Sequence, residues 1–171
     1  MLDNARMYNT ELQQMFAKVW YDEKYMYYFN NWHRLFNASE DDWEQMCFVS
    51  KDRDGNVLGS ISYSIDRVGS YAHNLGAINF SDNNYIFAKD LMQVIDDIFC
   101  KFNFQRLEFY VVCGNTVEST YDRLVHKFGG RIVGVRKRST KLIDNNYYDE
   151  KLYEILREDY LQHRRTNKFK N

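Results

Sequence analysis

Apolar residues change their period along the chain, and that change lays out the elements. Residues 10–30 repeat at helical spacing, with Leu12, Met15, Phe16, Val19 and Trp20 on one side and Thr10 placed to cap the start. An aromatic face of Tyr25, Tyr28, Phe29 and Trp32 follows, and Asp22 is positioned to restart a second helix there. Ser39-x-x-Asp42 has the form of a capping box and predicts a short helix. From residue 46 the period becomes two. Strands are predicted over 46–51 and 57–66, joined through Asp54-Gly55, a pair suited to the positive φ of a hairpin turn. A third strand is predicted over 71–80, and no strand is predicted before residue 46.

Residues 84–102 carry the strongest helix signal, with Ile86, Phe87, Leu91, Val94, Ile95, Ile98 and Phe99 on a broad apolar face. Asp82, Asn83 or Asn84 can cap it. A β-rich run over 106–113 is broken by Gly114-Asn115, a helix over 117–128 is stopped by Gly129-Gly130, and two long strands, 131–143 and 147–156, flank Asp144-Asn145-Asn146. The strand–helix–strand unit in the middle demands a parallel pair with a right-handed crossover. The hairpins on either side demand antiparallel pairing. The prediction is an α/β fold with a mixed, mostly antiparallel central sheet and helices on both faces. Residues 1–160 form one domain, with a helical part over 1–45 and the core sheet and helices over 46–157. Residues 161–171 read as a basic, flexible tail.

Composition narrows the picture. A chain of 171 residues is one domain's worth. Proline is absent, which excludes polyproline linkers and removes X-Pro isomerisation as a slow folding step. Basic and acidic residues number 23 and 24, so the domain as a whole is no electrostatic partner for nucleic acid, although Arg164, Arg165, Lys168 and Lys170 make the tail basic. Cys47, Cys100 and Cys113 are odd in number and contain no C-x-x-C. That argues against a disulfide framework or a zinc site and fits a reducing compartment. His33, His126 and His163 show no ligand spacing, so no metal is expected. No apolar run approaches the ~18 residues of a membrane span, and MLDNARMYNTELQQ lacks the apolar stretch of a signal peptide. The expectation is a cytoplasmic protein.

Over residues 46–157 this order of elements resembles the GNAT superfamily of acyl-CoA-dependent N-acyltransferases. The resemblance rests on GNVLGSISYSID at 55–66 and on the run from Asn115 through Tyr121, Gly129-Gly130 and the closing Tyr153-Glu154-Ile155. It is most like the members encoded by phages and other mobile elements. It implies acetyl-CoA as co-substrate and an amine on a protein or small molecule as acceptor. It implies cofactor binding by the backbone of Ile78 and Phe80, by Asn83, Asn84 and Ala88 at the phosphate loop, and by Asn115 on the pantetheine arm. Tyr121 then protonates the departing thiolate. Glu108, and after it Asp66 and His73, stand beside the expected acceptor cleft as bases for the amine. Each has a plainer reading as well. Asn115 is a good N-cap, Tyr121 is one of 14 tyrosines that can simply pack, and Glu108 fits the solvated face of an amphipathic strand. The run Arg136, Lys137, Arg138, Lys141 reads as surface charge, and the aromatic cluster over 20–32 as core, or as a homodimer face if exposed.

Two departures from the family pattern stand out. The phosphate loop is usually Arg/Gln-x-x-Gly-x-Gly/Ala, and here it is Asn83-Asn84-Tyr85-Ile86-Phe87-Ala88, with Ile86 where the middle glycine belongs. Tyr121 follows Asn115 by six residues, one fewer than is common. The altered loop raises a second reading, a catalytically inactive GNAT-shaped protein that acts by binding a protein partner.

Overall fold

The computed structural model describes residues 1–29, 36–82 and 84–168. In it, seven strands form one sheet in the order β1-β2-β3-β4-β5-β7-β6. They are β1 (Leu2–Asn4), β2 (Gln45–Lys51), β3 (Val57–Asp66), β4 (Tyr71–Asn79), β5 (Arg106–Val112), β6 (Arg131–Lys141) and β7 (Tyr147–Leu156). Four α-helices accompany them: α1 (Asn9–Val19), α2 (Asn84–Cys100), α3 (Glu118–Lys127) and α4 (Arg157–Lys168). Only β4 and β5 pair in parallel, and α2 is their crossover. The predicted mixed, mostly antiparallel α/β architecture is the one observed.

Strand alternation splits the core into two layers. Ile61, Tyr63 and Ile65 of β3, Leu107 and Phe109 of β5, and Tyr153 and Ile155 of β7 face α2, where Val94, Ile95, Ile98 and Phe99 are buried against them. On the opposite face, Cys47 and Val49 of β2 and Ile78 of β4 meet Leu12 and Phe16 of α1 together with Tyr25, Phe29 and Phe36. Within the predicted aromatic cluster, Tyr25 and Phe29 are core, Trp20 and Tyr28 pack against them, and Tyr21 is exposed. Trp32 lies outside the described residues.

Four expectations are corrected. A strand does precede residue 46: β1 pairs antiparallel with β2, Asp3 opposite Val49. The predicted helix over 10–30 ends at Val19, and Asp22 accepts from the Lys24 N–H to cap a single 3₁₀ turn, Glu23–Tyr25. The Ser39 box forms no helix, because Asp41 Oδ1 accepts from the Trp43 N–H at 2.8 Å and Asp42 pairs with Arg6. The tail is helical through Lys168. Tyr160 stacks on Phe99 at 4.6 Å and its hydroxyl donates to Asp96 at 3.0 Å, while the Arg164 Nε holds the same carboxylate at 2.6 Å. Among the described residues, no helix is long and apolar enough to cross a membrane.

Candidate active site

β4 and β5 run side by side for several residues but pair only at Tyr71–Arg106 and Ala72–Leu107. Beyond that point they part. The cause lies on the other edge of β4. Between the pairs Ser62–Gly76 and Ser64–His73, β3 advances two residues and β4 three. The extra residue is a β-bulge, and Asn74 sits there at φ 54°, the left-handed region that Asn tolerates better than most residues. A bulge bends its strand and tightens the twist, which turns β4 away from β5.

The gap opens into a cleft of about 410 Å³. Its walls are Asn74–Ala77 of β4 and Tyr110–Val112 of β5. Asn115, Val117 and Tyr121 line it from the α3 side, and Tyr27, Tyr28, Phe36 and Cys47 are among the residues lining it from the opposite face. So the structure brings Asn115 and Tyr121 to one site despite their shortened spacing. Asn115 Oδ1 accepts from the Val117 N–H at 3.1 Å, which closes a turn just ahead of α3; the residue at the helix cap is Val117, so Asn115 is not the N-cap expected of it, and its amide NH₂ is left for other partners. The Tyr121 ring packs edge-on against Phe109 at 5.4 Å. Burial pushes its phenol up to about 12, so it stays protonated and able to donate at any ordinary pH.

Other predicted residues are placed differently. Glu108 does not line the cleft. Its carboxylate is 41% exposed and pairs with Arg106 Nε at 2.9 Å, as the solvated-strand reading required. The backbone assignment shifts by one residue. The Phe80 N–H donates to Leu58 O at 2.7 Å, on the β3 side. Backbone groups point to alternate edges along a strand, so Phe80 and Ile78 face β3, and Ala77 and Asn79 face the gap. Ile78 is a buried side chain of the aromatic layer. Ala88 is exposed on the first turns of α2, next to the exposed Tyr85, with Phe87 buried beneath. Asn83 and the side chain of Asn84 lie outside the described part, and Asn84 is the first residue of α2. Asp66 binds the Gly69 N–H at 2.6 Å in the β3–β4 turn and takes no part in the cleft.

Sequence reasoning missed the tyrosines on the far wall. The Tyr28 hydroxyl reaches the backbone of β4 inside the gap, 3.9 Å from where a Cβ on Gly76 would stand. The Tyr27 hydroxyl approaches Gly114 in the same way, at 3.2 Å. Burial pushes the Tyr28 phenol well above its ordinary value, and burial also raises Tyr110. The thiol of Cys47, on β2, is pushed up to about 12 by burial and by the charge of Asp42, so it is an inert neutral group.

A mixed sheet split at its one parallel pair, with a crossover helix starting beside the split, defines the fold as that of the GNAT N-acetyltransferases. Solved structures agree. The Vibrio cholerae spermidine N-acetyltransferase in complex with CoA and spermine is similar at a TM-score of 0.70 and 18% identity, over 94% of this chain and 97% of that one. A chimera of the Vibrio cholerae enzyme with hSSAT is similar at 0.59 and 23%, over 70% and 71% of the two chains. By sequence, no protein-family model and no curated protein matches the chain.

Proposed function

We propose that this chain is an N-acetyltransferase that moves an acetyl group from acetyl-CoA to a primary amine. The observation that carries the reading is the split between β4 and β5, with Asn115 and Tyr121 on its rim. An open strand edge inside a cleft is a ready partner for an extended chain of amides, and the pantetheine arm is such a chain. The backbone of Ala77 and Asn79 and the amide of Asn115 would hold it. The N-terminal turn of the 17-residue helix α2, reached directly from β4, offers N–H groups to the pyrophosphate. These features fit the co-substrate. The similar Vibrio cholerae enzyme was solved in complex with CoA, which supports the choice of co-substrate.

The chemistry follows from the placement. The neutral amine attacks the thioester carbonyl, whose oxygen takes up negative charge against strand N–H groups. The new C–N bond forms, the C–S bond breaks, and the sulfur leaves as thiolate. Tyr121, held neutral by its surroundings, is the donor that meets it. The amine's own proton goes to solvent, and a proton from solvent restores the Tyr121 hydroxyl.

Calorimetric titration with acetyl-CoA tests the reading, with Asn115→Ala as the control. Micromolar binding that weakens about tenfold in the variant supports it, followed by release of free thiol in the presence of an amine. No binding at millimolar acetyl-CoA overturns it. That result would favour the partner-binding reading, for which Ile86 in place of glycine is the supporting feature.

A further inference from the structure

As far as the described residues go, the cleft has polar walls and no charge. Among its described lining residues there is no Asp, Glu, Lys, Arg or His. The segment 30–35, which lies outside the described residues, contains no Asp or Glu either. Four carboxylates near the cleft are already engaged. Asp42 pairs with Arg6. Glu150, buried beside Tyr110, lies 3.6 Å from Arg136 and accepts from Ser139 Oγ at 2.6 Å. Glu118 and Asp122, at the start of α3, share Lys151, and Asp122 also accepts from the Tyr153 hydroxyl at 2.7 Å.

An ammonium group entering such a site gives up its water and meets no counter-charge, which is costly. A polyamine pays that cost at several nitrogens. A neutral amine does not pay it, and with no carboxylate lining the cleft the proton must be lost before entry. At pH 7.5, roughly 30% of an α-amino group of pKa about 7.8 is neutral, against about 0.1% of a lysine side chain of pKa about 10.4. The walls also carry the rings of Tyr27, Tyr28 and Tyr110, which favour a flat or apolar body next to the amine.

Resting on the acetyltransferase reading, we propose that the acceptor is a weakly basic monoamine on an aromatic or apolar body, of the α-amino amide, α-amino ester or arylamine type, and not a polyamine or a lysine side chain. The acyl transfer is balanced as above: the ammonium proton is lost to solvent before entry, and the thiolate is protonated through Tyr121.

The experiment compares kcat/KM at pH 7.5 for L-phenylalaninamide, spermidine and Nα-acetyl-lysinamide, with acetyl-CoA binding measured separately by calorimetry. Phenylalaninamide is expected to exceed both others by at least 30-fold. Ser64→Asp, which places a carboxylate on the cleft wall, is expected to raise kcat/KM for spermidine at least tenfold and to narrow the gap. If acetyl-CoA binds and spermidine or the lysine derivative is used as well as phenylalaninamide, the inference fails and the acetyltransferase reading stands. Bound acetyl-CoA with no turnover of phenylalaninamide overturns it as well. If acetyl-CoA does not bind, the acetyltransferase reading fails and the acceptor assignment falls with it.

Discussion

β5 has two edges, and they behave differently. Along β7 it keeps seven register pairs, from Arg106–Leu156 to Val112–Glu150. Along β4 it keeps two. The strand is the same on both sides, with the same alternation of buried Leu107, Phe109 and Val111. What differs is the neighbour. β7 runs straight opposite β5, and β4 carries the bulge at Asn74. The cleft is therefore made by the partner of β5, while the zipped edge supplies the rigidity that holds Tyr110 and Val112 in place.

The largest expected effect comes from breaking both edges at once. Leu107 is fully buried where β4, β5 and β7 meet, opposite both Ala72 and Ile155. Leu107→Ala should cost about 2–5 kcal/mol in urea unfolding. A change at the open edge alone should separate function from stability. Tyr121→Phe should lower the rate of thiol release about 100-fold, or ~2.7 kcal/mol of barrier, and shift stability by less than about 0.5 kcal/mol. A variant that unfolds instead would assign Tyr121 to the core. The cause of the opening can be tested at the bulge. Asn74→Gly should keep acetyl-CoA affinity and fold stability, because glycine accepts positive φ. Asn74→Val should cost about 1–3 kcal/mol in stability and weaken acetyl-CoA in calorimetry.

The smallest effect belongs to the closed edge. The Tyr153 hydroxyl and Lys151 hold the Asp122 carboxyl below the usual carboxylate range. A depressed carboxyl stabilises the fold above its unfolded pKa near 3.9, and that contribution is lost as pH falls through the lower folded value. Asp122→Asn should therefore flatten the fall of Tm below about pH 4 and leave the cleft unchanged near neutrality.

Much of this was legible where local pattern and tertiary role agree. β3 and β7 begin and end where their period-two runs do, and α2 starts at its predicted residue. β1 is invisible in the sequence because Leu2-Asp3-Asn4 is too short to show alternation, and its partners Phe48, Val49 and Ser50 on β2 lie 44 to 48 residues away. α4 was read as tail because its sequence is almost wholly polar. It is held by two side chains, Tyr160 and Arg164, converging on Asp96 of α2. At the site, Asn115 and Tyr121 were reached through family resemblance, not through spacing alone. The backbone groups at Ala77 and Asn79 were missed by one residue, since their direction depends on which edge of β4 pairs with β3. The wall tyrosines are hidden among the chain's 14 tyrosines, and no local pattern marks which ring ends in a cleft.

The two pairs that join β4 to β5 also act as a fulcrum. On one side hang β1 to β4, and on the other β5, β7 and β6. The joint is reinforced where it sits: the Arg106 guanidinium lies 4.2 Å over the Tyr71 ring, and the Gln105 N–H donates to Ser70 O at 2.8 Å. Ala72 stands opposite Ile65 and Ala77 opposite Ile61, an advance of four regular strand residues, roughly 13 Å at ~3.3 Å per residue. Over that arm, a rocking of about 5° at the joint would move the jaw at Ala77 by roughly 1.2 Å, geometry set by the strand rise. A change at Arg106 or Tyr71, which have no access to the reacting atoms, would on this geometry alter how wide the mouth stands.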